Sequence, residues 1–117
     1  LLPKLKETIY TGDGFSIKYV IEAQWNNEYI ANIIITNTGD QTIENWELSY
    51  KSHDAYSNIW NAEISYHAAT IYNIKNAGHN QNIKPGESVS FGFQASFSGK
   101  EMDIPKTYKI LGDELVV

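Results

Sequence analysis

The sequence has no cysteine, no arginine, one methionine and three prolines among its 117 residues. Because cysteine is absent, no disulfide can hold the fold, and its stability has to come from a packed core. All nine basic residues are lysines, and the net charge is −5. Nucleic acids and anionic membrane surfaces both require a basic patch on the protein. The composition therefore excludes these two partners and favours a neutral one.

Long hydrophobic runs are missing too. No apolar stretch approaches the ~20 residues of a membrane-spanning helix, and no signal peptide is visible at the start. Because the chain begins with Leu1 and not with methionine, we expect it to be an excised or processed module of a larger protein. Its length and ordinary composition predict one globular domain over residues 1–117, with residues 1–12 as either a linker or an edge segment.

Patterns typical of enzymes and metal sites are also lacking. A glycosidase needs two carboxyl groups that flank a cleft, but the glutamates here are scattered over predicted strands and turns. There is no nucleophile elbow, and His53, His67 and His79 do not have metal-ligand spacing. A calcium ion would find acidic turn residues only at 12–14 and 39–40, where such residues usually just cap turns. The sequence therefore predicts no enzyme activity and no cofactor.

What the sequence does contain is a succession of short alternating segments. Apolar residues recur at every second position in 15–21 and again in 29–35. Turn residues separate these and later segments at a spacing of roughly 8–12 residues, which is typical of a β-sandwich or barrel. The later segments are 43–50, 59–66, 71–74, 89–97 and 107–111. We predict an all-β fold, an antiparallel β-sandwich of immunoglobulin-like or jelly-roll-like form.

Several motifs follow one another in order. They are Gln24-Trp25-Asn26, Asn45-Trp46-Glu47-Leu48, Asn58-Ile59-Trp60-Asn61 and Asn76-Ala77-Gly78-His79. Residues 83–93 then combine a turn, in which Pro85 presets φ and Gly86 accepts a positive φ, with an alternating strand that ends Phe91-Gly92-Phe93. In this order the motifs resemble the family 2 carbohydrate-binding modules, the bacterial cellulose-binding domains, over nearly the whole chain.

The resemblance implies an aromatic platform on one face of the sandwich. Trp25 and Trp60 would stack on the C–H faces of glucose rings, whereas Trp46 would be a core residue. Alternation alone places Trp25 on the same side as Ile21, so a core-edge position is the competing prediction. The third platform position holds His79 where the family usually has tryptophan. Imidazole can also stack, although a lone surface histidine is more often simply solvated.

Position 28 is a second departure from the family pattern. Members specific for crystalline cellulose commonly have glycine where this chain has Glu28, and in the xylan-binding subgroup a bulky residue there turns the tryptophan. Glu28 would then reorient Trp25, unless it points to solvent. The family's polar contacts correspond to Asn32, Asn58 and Gln94, whose amides can both donate and accept hydrogen bonds with sugar hydroxyls.

The function implied by the resemblance is that of a non-catalytic module that binds cellulose and holds an attached enzyme or cell surface on it. Such a module would be extracellular and monomeric, fused to a catalytic or surface domain. Two alternatives stay open. The ligand could be xylan or another plant polysaccharide, or the domain could be a structural or adhesin-type sandwich that has lost sugar binding. The substitutions at positions 28 and 79 keep these alternatives open.

Overall fold

The computed structural model describes residues 6–111, which form nine β-strands. The strands are β1 (Glu7–Thr11), β2 (Phe15–Trp25), β3 (Glu28–Asn37), β4 (Glu47–Lys51), β5 (Ala55–Trp60), β6 (Ala62–Ala68), β7 (Ile71–Asn76), β8 (Ser88–Ser96) and β9 (Tyr108–Leu111). Over these residues the structure has no helix long and apolar enough to cross a membrane. The predicted all-β class is confirmed.

Two antiparallel sheets form the sandwich. One has five strands in the order β1-β2-β3-β8-β5, and the other has four in the order β6-β7-β4-β9. The longest ladder joins β2 to β3 through the turn Asn26-Asn27, where Asn26 has a φ of 53° that asparagine tolerates better than most residues. One of the passages of the chain from the first sheet to the second is at Asn61, between β5 and β6. The predicted antiparallel β-sandwich is confirmed.

The core lies between the sheets, where the alternating residues of the sequence meet. The inward residues of β3 are fully buried, as the alternation predicts (Tyr29, Ala31, Ile33 and Ile35). Trp46, just before β4, is also fully buried and stacks on Phe91 with ring centroids 5.9 Å apart. Its Nε1 atom donates a hydrogen bond of 2.7 Å to the carbonyl oxygen of Asn80. The prediction that Trp46 belongs to the core is confirmed.

The N-terminal segment supplies an edge strand. Residues of β1 pair with β2 one by one, from Glu7 opposite Val20 to Thr11 opposite Ser16. Tyr10 packs inward against Tyr108, with ring centroids 5.6 Å apart. Within the segment 1–12, residues 7–11 thus form the edge strand β1, whereas residues 1–5 lie outside the described residues.

A buried polar network that alternation does not reveal ties one end of the sandwich together. The Asp54 side chain accepts hydrogen bonds from the Tyr29 hydroxyl and from the backbone amide of Asp103, and the Asp54 carbonyl accepts one from the Tyr72 hydroxyl. Asp54 is 4% exposed. Burial, followed by the neighbouring Tyr19 and Asp54, raises the pKa of Tyr29 far above its ordinary value. Tyr29 therefore stays a hydroxyl donor and satisfies the buried carboxylate.

Candidate functional site

A β-bulge places Trp25 on the outer face of the five-stranded sheet. Ile21 pairs with Ala31 and Ala23 pairs with Ile30, so Glu22 is an extra residue in β2. A bulge shifts the alternation by one position. Trp25 consequently faces away from the core although Ile21 faces into it, and its side chain is 39% exposed. The competing prediction of a core-edge position, which assumed unbroken alternation, is wrong.

A second bulge does the same for Trp60. The register of β5 against β8 shifts between Tyr56 and Asn58, which makes Ser57 the extra residue. Tyr56 therefore turns inward and stacks on Phe93, with centroids 4.0 Å apart. Asn58 and Trp60 turn outward, and Trp60 is 38% exposed. Each exposed tryptophan thus lies three residues after a bulge.

The outward residues of β3, β8 and β5 form rows across the sheet. The successive rows are Glu28, Ser96 and Ala55; Ile30, Gln94 and Asn58; and Asn32, Gly92 and Trp60. Trp25 extends the first row, since it pairs with Glu28. With strands about 4.8 Å apart and a rise of about 3.4 Å per residue, the Cα atoms of Trp25 and Trp60 are roughly 20 Å apart. We call this surface, with Trp25, Trp60, Asn32, Asn58 and Gln94, the tryptophan face.

Glu28 lies beside Trp25 and is hydrogen-bonded to Gln94. The distance from Gln94 Nε2 to Glu28 Oε1 is 3.0 Å. Glu28 is partly buried, so its carboxylate rests on the tryptophan face and does not simply point to solvent. A negative charge is therefore held between the two indoles, next to an amide that is predicted to bind sugar hydroxyls.

His79 lies in the loop after β7 and is exposed. Its neighbour Asn80 anchors the loop twice. The Asn80 side chain donates a hydrogen bond of 2.9 Å to the carbonyl oxygen of Asn61, and the Asn80 carbonyl accepts the bond from Trp46. Because Asn61 directly follows Trp60, Asn80 is tied to the chain at the Trp60 end of the face, and His79 precedes it in the loop. Sequence reasoning missed Asn80, whose role depends on contacts between distant residues.

Within the described part of the chain, acidic residues do not gather into a metal site. Among residues 6–111, no group of three or more histidine, aspartate or glutamate side chains could hold a metal ion. A wide groove of about 750 Å³ is lined by Asp13, Asp40 and Glu44. It lies at the turns before β2 and after β3, and its lining includes no residue of the tryptophan face.

A rigid sandwich that exposes two indoles and three amide side chains on one sheet face has the form of a surface-binding module. The chain belongs to the family described as "Cellulose binding domain", whose family profile matches residues 15–114. This is a family of non-catalytic modules that occur within larger enzymes.

The relatives agree with this assignment. The chain is 38% identical over 88 residues to endo-1,4-beta-xylanase A of Cellvibrio japonicus, a match that covers 74% of this chain and 14% of the xylanase. The fold is similar to chitinase ChiA74 from Bacillus thuringiensis (TM-score 0.74, 26% identity), over 81% of this chain and 15% of the chitinase. It is also similar to the cellulose-binding family 2 domain from ScLPMO10C (TM-score 0.65, 20% identity), over 88% and 99% of the two chains. The chain thus spans about one seventh of the length of the xylanase.

Proposed function

We propose that the chain binds the polysaccharide cellulose through the tryptophan face. The observation that carries the proposal is that two separate bulges turn Trp25 and Trp60 to the same outer side of the same sheet. Half-exposed indoles on a rigid surface match the flat C–H faces of sugar rings, and burying one ring contributes about 1–2 kcal/mol. The Cα atoms of Trp25 and Trp60 are roughly 20 Å apart, and this separation suits successive sugars of an extended chain better than a single small ligand.

The amides of the face supply the polar part of the contact. The Asn32 side chain makes no hydrogen bond within residues 6–111, so its donor and acceptor groups are both available to a ligand. The Asn58 Oδ1 atom accepts a bond of 3.0 Å from the amide of Ile59, which leaves its NH₂ group to donate. The side-chain amide of Gln94 donates one N–H to Glu28, and its Oε1 atom remains as an acceptor. Sugar hydroxyls both donate and accept, so each amide has a partner.

His79 completes the platform in this proposal. Its loop is fixed to the carbonyl of Asn61, directly after Trp60, and we expect its exposed ring to extend the row of rings beyond that tryptophan. A neutral imidazole can lie against axial C–H groups, although its smaller face makes a weaker contact than an indole would.

The setting of the module follows from its size and its relatives. We propose that it is a monomer fused to a catalytic or surface domain, and that it acts outside the cell, where polysaccharide is found. It would hold the attached domain on an insoluble substrate, and this would raise the effective concentration of that domain at the substrate.

A second candidate ligand is xylan. The observation that favours it is the carboxylate of Glu28 beside Trp25, held in place by Gln94. A bulky, fixed neighbour at this position would tilt the Trp25 ring and suit a twisted xylan chain better than a flat cellulose surface.

The test is a depletion isotherm on insoluble cellulose and on insoluble xylan. Trp25→Ala and Trp60→Ala should each weaken binding by roughly tenfold without lowering the unfolding temperature. Tyr66→Ala is the matched control, because Tyr66 is 52% exposed and lies on the four-stranded sheet. Wild-type binding by both tryptophan variants would overturn the proposal, and stronger binding to xylan than to cellulose would favour the second ligand.

A further inference from the structure

Gly92 is buried although it belongs to an outward row of the five-stranded sheet. It lies between Asn32 on β3 and Trp60 on β5. A Cβ atom added at this glycine would lie 2.5 Å from Cε2 of Trp60, closer still to its Nε1, and 2.6 Å from Oδ1 of Asn32. The indole of Trp60 thus lies over β8, and the Asn32 carboxamide borders the same space above the backbone of Gly92.

The backbone of Gly92 does not itself demand glycine. Gly14, Gly78 and Gly86 are the glycines with a positive φ among the described residues, and Gly92 has an ordinary strand conformation. Glycine inside a strand weakens it, because it packs no side chain and loses more entropy on folding. What glycine provides at this position is space for another group to approach the backbone closely.

We propose that Gly92 is a positioning residue of the tryptophan face, and this inference rests on the proposed function. Its missing side chain lets the Trp60 indole lie across β8 beside the Asn32 amide. The two groups then form one composite subsite, in which a sugar ring stacks on the indole while one of its hydroxyls bonds to the amide. The ligand class this subsite fits is a neutral pyranose with an equatorial hydroxyl at the ring edge.

A methyl group at position 92 would be accommodated by the indole and not by the sheet. Strand β8 is paired on both sides, with β3 and with β5, so its backbone is fixed. The Nε1 and Cε2 atoms belong to a rigid ring, whereas the Asn32 carboxamide can rotate away. Alanine at position 92 would therefore lift or turn the indole of Trp60 and separate it from Asn32.

The test is a double-mutant cycle on insoluble cellulose with Gly92→Ala, Trp60→Ala and the double variant. Gly92→Ala alone should weaken binding by roughly tenfold, as Trp60→Ala does. In the Trp60→Ala background the same change should alter affinity by less than about twofold, because the ring it displaces is gone. Gly99→Ala is the matched control, since no heavy atom lies within 4 Å of a Cβ built there, and it should bind as wild type.

A second readout follows the indole directly. In a ¹H–¹⁵N spectrum, the Nε1–H signal of Trp60 should move in Gly92→Ala, while the signals of Trp25 and Trp46 stay in place. Wild-type affinity of Gly92→Ala, or an equal loss in the Trp60→Ala background, would overturn the inference. If Trp60→Ala binds as wild type, the proposed role of Trp60 in binding has failed. The Nε1–H signal then decides whether Gly92 positions the ring, and an unmoved signal refutes it.

Discussion

Gln94 donates a hydrogen bond of 3.0 Å to the carboxylate of Glu28, and the two side chains lie between Trp25 and Trp60 on the outer face of the five-stranded sheet. Glu28 is also the direct cross-strand partner of Trp25. The contact occupies part of an amide that would otherwise serve a ligand, and it keeps a charge on a face proposed to bind a neutral polymer. We therefore propose that Glu28 is the residue that most directly affects the ligand preference of the face.

Replacing Glu28 with glycine should increase affinity for crystalline cellulose by roughly threefold. The change removes the bulk beside Trp25 and frees the Gln94 amide. Depletion isotherms at constant ionic strength measure the effect, with Glu28→Gln as the companion variant that removes the charge but keeps the size. An equal gain in both variants would assign the effect to charge, and lower affinity of Glu28→Gly would show that the carboxylate contributes to binding.

Trp46→Ala should destabilise the fold, whereas Trp25→Ala and Trp60→Ala should weaken binding and leave stability unchanged. Its side chain is fully buried, stacks on Phe91 and donates to Asn80. The cavity and the lost hydrogen bond should lower the free energy of unfolding by about 3–5 kcal/mol. Urea unfolding followed by tyrosine fluorescence or circular dichroism measures this, with Trp60→Ala as the exposed control. Unchanged stability would contradict the core assignment.

The His79→Tyr variant should bind more tightly than wild type if position 79 contacts the sugar. A phenol ring offers C–H groups a larger flat face than imidazole does. We expect the binding free energy to become more favourable by up to about 1 kcal/mol. Depletion isotherms on insoluble cellulose measure the difference. Identical affinities of the two proteins would place His79 outside the binding face.

Asp103 should make stability depend on acid pH. Burial raises the pKa of this carboxyl, but hydrogen bonds from the His53 amide (2.6 Å) and ring (2.7 Å), the charge of that ring and Lys106 lower it below its usual value. A carboxyl whose pKa is lowered by folding contributes stability above its unfolded pKa of about 3.9 and loses it as the pH falls through the folded value.

The variant that checks this is Asp103→Asn. It should be less stable than wild type at pH 7, by less than about 1 kcal/mol because the contact between Asp103 and His53 is largely exposed. The difference should shrink toward pH 2–3, where the wild-type carboxyl is protonated. Urea unfolding at both pH values gives the two differences, with Asp40→Asn, an exposed turn residue, as the control. A difference that is the same at both pH values would argue against this linkage.

Alternation predicted the fold because most strands of this protein are regular. The rows 15–21 and 29–35 face the core as predicted, and Trp46 is buried as the family resemblance implied. Alternation was wrong about Trp25 because the extra residue Glu22 reverses the face of the sheet on which each later residue of β2 lies. A bulge has no fixed sequence signature, so only the cross-strand register shows it.

Contacts between distant residues account for the rest of what the sequence did not reveal. The carboxylate of Asp54 is buried because Tyr29 and the Asp103 amide reach it from other strands and loops. The place of Gly92 beneath Trp60 likewise depends on the pairing of β5 with β8. The family resemblance predicted which residues form the platform, but it did not explain why Trp25 and Trp60 face the same way.

The bulge at Glu22 also has a consequence for the order of folding. The turn Asn26-Asn27 sets one pairing register, which reaches only from Trp25 to Ala23, and the register changes by one residue at Ile21. A hairpin that zipped onward from the turn without this change would direct Ile21, Tyr19 and Ile17 away from the core. The turn end of the hairpin can therefore close locally within microseconds, whereas the other half has to wait for the collapse that buries its apolar row. We expect the part of β2 that presents Trp25 to gain its structure before the part that supports the core.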